Sequence, residues 1–223
     1  LAQNLAARGK KADLIIGNNV YAHVPDINDF TQGLAALLKP EGVVTLEFPH
    51  LLRLIEENQF DTVYHEHFSY LSLHSVRTIF QGAGLTLWGV EELPSHGGSL
   101  RVYGSLCSSQ RPVLPSINRL LKKEQTCGLF RAETFREFQI RVEKIKMDLL
   151  GFLRECKKSG KTIAAYGAAA KGNTFLNYAR VTQIEPAGSA DSAKSQRQDD
   201  FQRPRVGLNF LVVLPRACDL RCH

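Results

Sequence analysis

Much that would mark a function at once is missing from this sequence. Its five cysteines, at 107, 127, 156, 218 and 222, form no CxxC pair, so neither a disulfide framework nor a zinc ribbon is indicated and unpaired thiols are expected. No apolar run approaches the roughly 18 residues of a membrane span. The start, LAQNLAARGKKADLII, lacks the basic, apolar and small-residue order of a signal peptide. A cytoplasmic protein without a membrane partner is therefore expected. Neither a GxGxxG fingerprint nor a Walker A loop occurs, and there is no internal repeat or long low-complexity tract.

What is present describes a globular α/β chain. Of its 223 residues, 43% are apolar and 22% charged, and mean hydropathy is −0.18, values usual for folded domains. Twenty-eight Lys and Arg against 22 Asp and Glu give a net charge of +6. Much of that excess sits at Arg197, Arg203, Arg205, Arg216 and Arg221. Such a balance suits an anionic ligand but is spread too evenly for a nucleic-acid partner.

Asp13–Gly17 is a short apolar run that reads as a strand buried in a parallel sheet. Ile27, Phe30, Leu34, Leu37 and Leu38 then recur at helical spacing between Asp26 and Lys39, Pro40-Glu-Gly42 closes that helix, and Gly42–Phe48 reads as the next strand. A right-handed β-α-β unit with parallel neighbouring strands follows. Ser72–Ala83 reads as a helix, and Leu85–Val90 and Ser99–Ser105, joined by Pro94-Ser-His-Gly-Gly98, as an antiparallel hairpin at the sheet edge. Apolar residues every three or four positions from Arg131 to Lys158 predict a long amphipathic helix. The domain boundary is placed within 106–130. Thr162–Tyr166, Gly167–Gly172 and Asn173–Arg180 read as strand, small-residue turn and helix of a second α/β unit. After Glu185 periodicity fails, and Phe210–Leu214 is an isolated apolar run.

The densest chemistry lies in Phe60-Asp-Thr-Val-Tyr-His-Glu-His-Phe-Ser-Tyr70. Imidazole suits proton transfer near neutral pH, and a carboxylate or phenol beside it can orient the ring or hold a developing oxyanion. A metal site at His65 and His67 needs a third ligand that no recognisable spacing supplies. Hydrogen-bonded loop residues without chemistry are the plain alternative. His23 follows the first strand, at the end where open α/β sheets bind ligands, and could share a cleft with Tyr64–His67. His96 and Arg101 flank paired glycines that permit close backbone approach, though a hairpin turn explains them equally. Tyr166-Gly-Ala-Ala-Ala-Lys-Gly-Asn-Thr174 lies between strand and helix, where anions are favoured. Small residues for tight packing explain it as well.

Taken together, NNVYAHVPD, FDTVYHEHFSY, HGGSLRVYG and AAYGAAAKGNTFLNYA resemble the nucleotide-sugar C-methyltransferase family over about residues 13–185, most specifically in YHEH and HGGSLR. The resemblance implies a partial Rossmann-like methyltransferase sheet, doubly wound with an antiparallel edge hairpin, followed by a smaller, incomplete α/β domain. It divides the chain into the C-terminal part of a methyltransferase domain (1–118), a C-terminal α/β domain (119–185) and an atypical tail (186–223), disordered or frame-shifted. It implies S-adenosylmethionine as methyl donor and a nucleotide-linked keto sugar as substrate. The donor's glycine-rich loop and a zinc-binding domain are expected only upstream of this sequence, which would leave the chain inactive alone.

By the same resemblance His67 is the base that removes the proton next to the keto group, Tyr64 and Glu66 orient it or the enolate, and His23 is a second active-site histidine. Asn18 and Asn19 line the donor pocket, and His96, Arg101, Lys171 and Asn173 contact the substrate. No metal is implied at the reacting carbon. A non-catalytic module that holds the nucleotide sugar, or needs a partner chain, is the alternative. A nucleotide-dependent oxidoreductase is disfavoured for want of a dinucleotide fingerprint.

Overall fold

The computed structural model describes residues 1–166, 170–181, 185–186 and 210–214. The chain divides into two compact units, Leu1–Gln59 with His65–Arg136, and Phe60–Tyr64 with Glu137–His223.

In chain order the first unit holds α1 (Ala2–Ala7), β1 (Ala12–Asn18), α2 (Ile27–Leu37), β2 (Leu38–Pro49), α3 (Leu51–Glu56), α4 (Leu73–Gly82), β3 (Leu85–Leu93), β4 (Ser99–Leu106) and α5 (Pro115–Thr126). Its four strands form a mixed open sheet in the order β1-β2-β4-β3. β1 and β2 are parallel, as the β-α-β reading requires, while β4 runs antiparallel to both β2 and β3. The predicted hairpin is thus present, with β3 at the edge.

α2 starts where the Asp26 carboxylate accepts from the N–H groups of Asn28 and Asn28's neighbour Asp29, at 3.0 and 2.9 Å. It stops two residues before the predicted Lys39. The reason is Pro40, which disfavours helical backbone in the residue before it; Leu38 is already extended, at φ −72° and ψ 141°. Pro40-Glu-Gly42 therefore lies inside β2. There the pairing with β1 shifts register between Ala12 and Leu14.

The core lies on one face of this sheet. Val44, Leu46 and Phe48 of β2 and Leu100 and Val102 of β4 are fully buried against Val76 and Phe80 of α4 and Ile117 and Leu120 of α5. Each such side chain contributes roughly 1.5–3 kcal/mol of burial. Period-two alternation turns Leu14 and Ile16 of β1 to the opposite face, where they stay exposed. On that face Trp88 stacks near Tyr103, ring centroids 5.4 Å apart, beneath the Arg111 guanidinium.

The second unit takes most of α6 (Ala132–Lys158), then β5 (Thr162–Tyr166), α7 (Ala170–Ala179), β6 (Glu185–Pro186) and β7 (Phe210–Leu214). Its sheet order is β6-β5-β7, with β6 parallel and β7 antiparallel to β5. Phe210–Leu214 is thus not isolated: it pairs with β5 from Thr162↔Leu214 to Tyr166↔Phe210. α7 begins at Ala170, before the predicted Asn173, so Lys171 and Gly172 belong to the helix. Residues 167–169 of the predicted turn, and most of the tail after Pro186, lie outside the described residues.

Phe60–Tyr64 joins this unit because Phe60 packs on Phe175 and Tyr178 of α7, at ring separations of 5.4 and 5.2 Å. The Tyr178 hydroxyl donates to Glu143 of α6 at 2.6 Å. That hydrogen bond holds the Glu143 carboxyl below its usual range, while burial first and the carboxylate second push the Tyr178 phenol up.

Candidate active site

Because β4 opposes β2 and β3, the carboxyl ends of β1, β2 and β3 share one edge of the sheet with the start of β4. β1 ends at Asn18. Asn19 then takes a left-handed conformation, φ +54°, which asparagine tolerates better than most residues. Its N–H donates to the Glu47 carbonyl at 2.8 Å. Both asparagines are exposed.

A 3-10 turn, Tyr21–His23, follows and is fixed from below. Tyr21 is fully buried against Phe30, Phe48 and Phe80, and its hydroxyl bonds Thr31 Oγ1 at 2.7 Å. Burial pushes this phenol up to about 12. Tyr21 is thus the anchor of the NNVYAHVPD segment, and His23 is the residue it presents.

The structure brings His23, Glu66 and His67 together. The His23 Nδ1 lies 2.9 Å from the main-chain carbonyl oxygen of Glu66. A carbonyl only accepts, so Nδ1 carries the proton of this bond. The N–H groups of Phe68 and Ser69 both donate to the Ala22 carbonyl, at 2.9 and 3.2 Å, and clamp the 66–70 loop onto the turn. His23 and His67 face each other at a ring separation of 4.7 Å, and Tyr70 meets the His67 ring edge-on at 5.9 Å. Glu66 enters through its carbonyl while its side chain is exposed. Tyr64, Lys171 and Asn173 belong to the second unit, where Lys171 and Asn173 lie in the first turn of α7 and the Asn177 amide donates to Asn173 Oδ1 at 3.3 Å.

At the same edge Glu47 of β2 accepts from Ser95 Oγ and from Arg101 Nη2, each at 2.8 Å. Those two hydrogen bonds, Ser95 first, hold the Glu47 carboxyl below the usual carboxylate range against the opposing effect of burial. Arg101 is therefore engaged by a carboxylate of its own sheet. His96 is exposed on the turn at φ +53°, followed by Gly97 at +79° and Gly98 at +112°. Glycine is required at 98: a Cβ there would lie 2.7 Å from Arg53 Cγ.

Sequence reasoning missed His50, Glu47 and Glu124. His50 follows β2 and is buried, with Nε2 donating to Glu124 Oε1 at 2.8 Å. Glu124, fully buried on α5, also accepts from the N–H groups of Leu73 and His74 at 2.6 and 3.1 Å. A histidine directly after a strand at the ligand edge was the available signal. Nothing local to the sequence links it to Glu124. Among the described residues no group of three or more His, Cys, Asp or Glu is placed to hold a metal ion, and no helix is long and apolar enough to cross a membrane.

Two family models match the chain, a methyltransferase domain over residues 1–90 and a C-methyltransferase C-terminal domain over residues 94–201. A curated relative, the C-methyltransferase NovU of Streptomyces niveus, is 38% identical over 176 residues, which is 79% of this chain. The chain spans 42% of that relative's length. Similar solved structures include the magnesium protoporphyrin IX methyltransferase of Synechocystis PCC 6803 with bound SAH, at 19% identity and TM-score 0.36 over 46% of this chain and 48% of that one. Another is an S-adenosylmethionine-dependent methyltransferase from Clostridium acetobutylicum ATCC 824, at 9% identity and TM-score 0.35 over 44% and 59%. With a methyltransferase region followed by the C-methyltransferase C-terminal region, and a relative of that kind matching across both, the chain belongs to the C-methyltransferase family.

Proposed function

We propose that this protein takes part in S-adenosylmethionine-dependent methylation of a carbon next to the keto group of a nucleotide-linked sugar, through an enolate. The observation that carries the reading is the His23–His67 pair at the carboxyl edge of the sheet, ring to ring at 4.7 Å. With His23 Nδ1 tied to the Glu66 carbonyl, that ring is fixed beside His67, the base of this scheme. His67 takes the proton from the carbon acidified by the carbonyl. Tyr64 and the Glu66 side chain assist it by orienting the base or stabilising the enolate oxygen.

The exposed Asn18 and Asn19 at the end of β1 fit the methyl donor, whose polar groups their amides can bond at the edge where open α/β sheets take ligands. When bound, the donor supplies an electrophilic methyl to the nucleophilic carbon. His96 and Arg101 contact the sugar, and Lys171 and Asn173, at the start of α7, the nucleotide diphosphate.

Proton abstraction can be tested without the methyl donor. The chain is incubated in deuterated water with a nucleotide-linked keto hexose, and deuterium at the carbon beside the carbonyl is followed by NMR. Enhanced uptake at that carbon supports the reading; uptake no faster than in buffer contradicts it.

A further inference from the structure

A cavity of about 420 Å³ lies at the end of the sheet opposite the candidate active site, between α4, α5 and the first residues of β3. That volume falls within the range of small-molecule sites. Its wall includes Arg77 and Gln81 of α4, Thr86 of β3, Cys107 just after β4, Val113, and Asn118 of α5. All belong to the first unit, and none takes part in the methylation scheme.

Arg77 sets this cavity apart. Among the described residues the partly buried arginines are Arg53, Arg77, Arg101, Arg111 and Arg141. Arg53 and Arg101 are paired with carboxylates, Arg111 donates to the Glu41 carbonyl and lies over Trp88, and Arg141 lies over the Phe138 ring. Arg77 alone of these has no hydrogen bond, ion pair or ring contact among the described residues. A guanidinium drawn partly out of water without an anion loses hydration with nothing to offset it. No Asp or Glu stands in the cavity wall, so an anion that enters meets no carboxylate there.

The other groups narrow the form of that anion. A planar carboxylate matches the guanidinium fork with two parallel N–H···O bonds, whereas a phosphate dianion finds one cation for two charges. The exposed amides of Gln81 and Asn118 are neutral, and Val113 is 49% exposed. Cys107 Sγ accepts from the Thr86 hydroxyl at 3.3 Å, which fixes a polarisable sulfur of the kind that favours contact with an aromatic ring.

We propose that this cavity binds a small aromatic carboxylate, its anionic group on Arg77 and its ring against Val113 and Cys107. The site needs neither methyl donor nor sugar, so its fate and that of the proposed function are independent.

Iodoacetamide alkylation of the whole chain, read peptide by peptide by mass spectrometry, is the test. Cys107 lines the cavity, and Cys127, exposed just past α5 and outside the wall, is the internal reference. The probe is benzoate, with benzamide and inorganic phosphate for comparison. At ten times its half-saturating concentration benzoate should slow alkylation of Cys107 about tenfold and leave Cys127 unchanged; benzamide and phosphate should protect neither. Arg77→Gln should raise the half-saturating benzoate concentration tenfold or more while keeping the ligand-free rate at Cys107, the sign of an intact cavity; if that rate changes, the benzoate and benzamide comparison on the unaltered chain decides. No protection at high benzoate, equal protection by benzamide or phosphate, or protection unchanged in Arg77→Gln would overturn the proposal.

Discussion

Replacing Glu124 by alanine should be among the most damaging single changes in the first unit, and the reason is countable. The first turn of a helix leaves four N–H groups without intrahelical partners. In α4 the Ser72 N–H donates to the Ser75 hydroxyl, the Ser75 N–H to the Ser72 hydroxyl, and the Leu73 and His74 N–H groups both to Glu124. Alanine at 124 strands those last two donors and the His50 Nε2–H inside the core. A buried donor left unpaired costs about 1–3 kcal/mol. Three of them give a loss of roughly 3–9 kcal/mol, set against a usual total of about 5–15 kcal/mol.

Urea unfolding followed by fluorescence reads this cleanly, because the single tryptophan, Trp88, sits in β3 of the same unit. The midpoint should fall sharply in Glu124→Ala and less in Glu124→Gln, which keeps one acceptor oxygen. A loss below about 1 kcal/mol in the alanine variant would show that water or a shifted helix satisfies these donors, and would refute the argument.

Two further outcomes follow from groups at the edge and in the second unit. Glu47 has a carboxyl held below its usual range, so its contribution to stability is present above the ordinary carboxylate pKa and is lost as pH falls through the lowered folded value; Arg101→Met should raise that value and move the onset of acid unfolding to higher pH, and an unchanged acid titration of Trp88 fluorescence would count against the pair. Lys171→Ala should weaken calorimetric binding of a nucleoside diphosphate sugar while leaving far-ultraviolet circular dichroism unaltered, and unchanged affinity would leave Lys171 a packing role only.

The parts of the fold that were legible in the sequence are those governed by local periodicity. The β-α-β unit, the hairpin and the long α6 helix all follow from apolar spacing and turn residues, as their observed ranges show. The misjudged boundaries are where one residue overrides a pattern: Pro40 ends α2 early, and α7 takes in Lys171 and Gly172 despite the run of small residues. Phe210–Leu214 looked unpartnered because its partner, β5, lies far upstream, and no local feature encodes a long-range pairing. The same limit governs the site. His23 and His67 could be placed at one edge from strand topology alone, and they meet there. The Glu47–Arg101 and His50–Glu124 pairs join residues whose registers are fixed only once the sheet and α5 have packed.

The central claim, that His67 is the base, is tested most directly by the rate of deuterium uptake into the keto sugar by the His67→Asn chain beside the wild-type and His65→Asn chains. His65 is exposed next to the loop and has no role in the scheme, so its substitution controls for disturbance of the segment. Removal of a general base costs about 10²–10⁴ in rate. The account predicts a fall of that size in His67→Asn, with sugar-nucleotide affinity kept and His65→Asn close to wild type. Uptake at the wild-type rate in His67→Asn would contradict it.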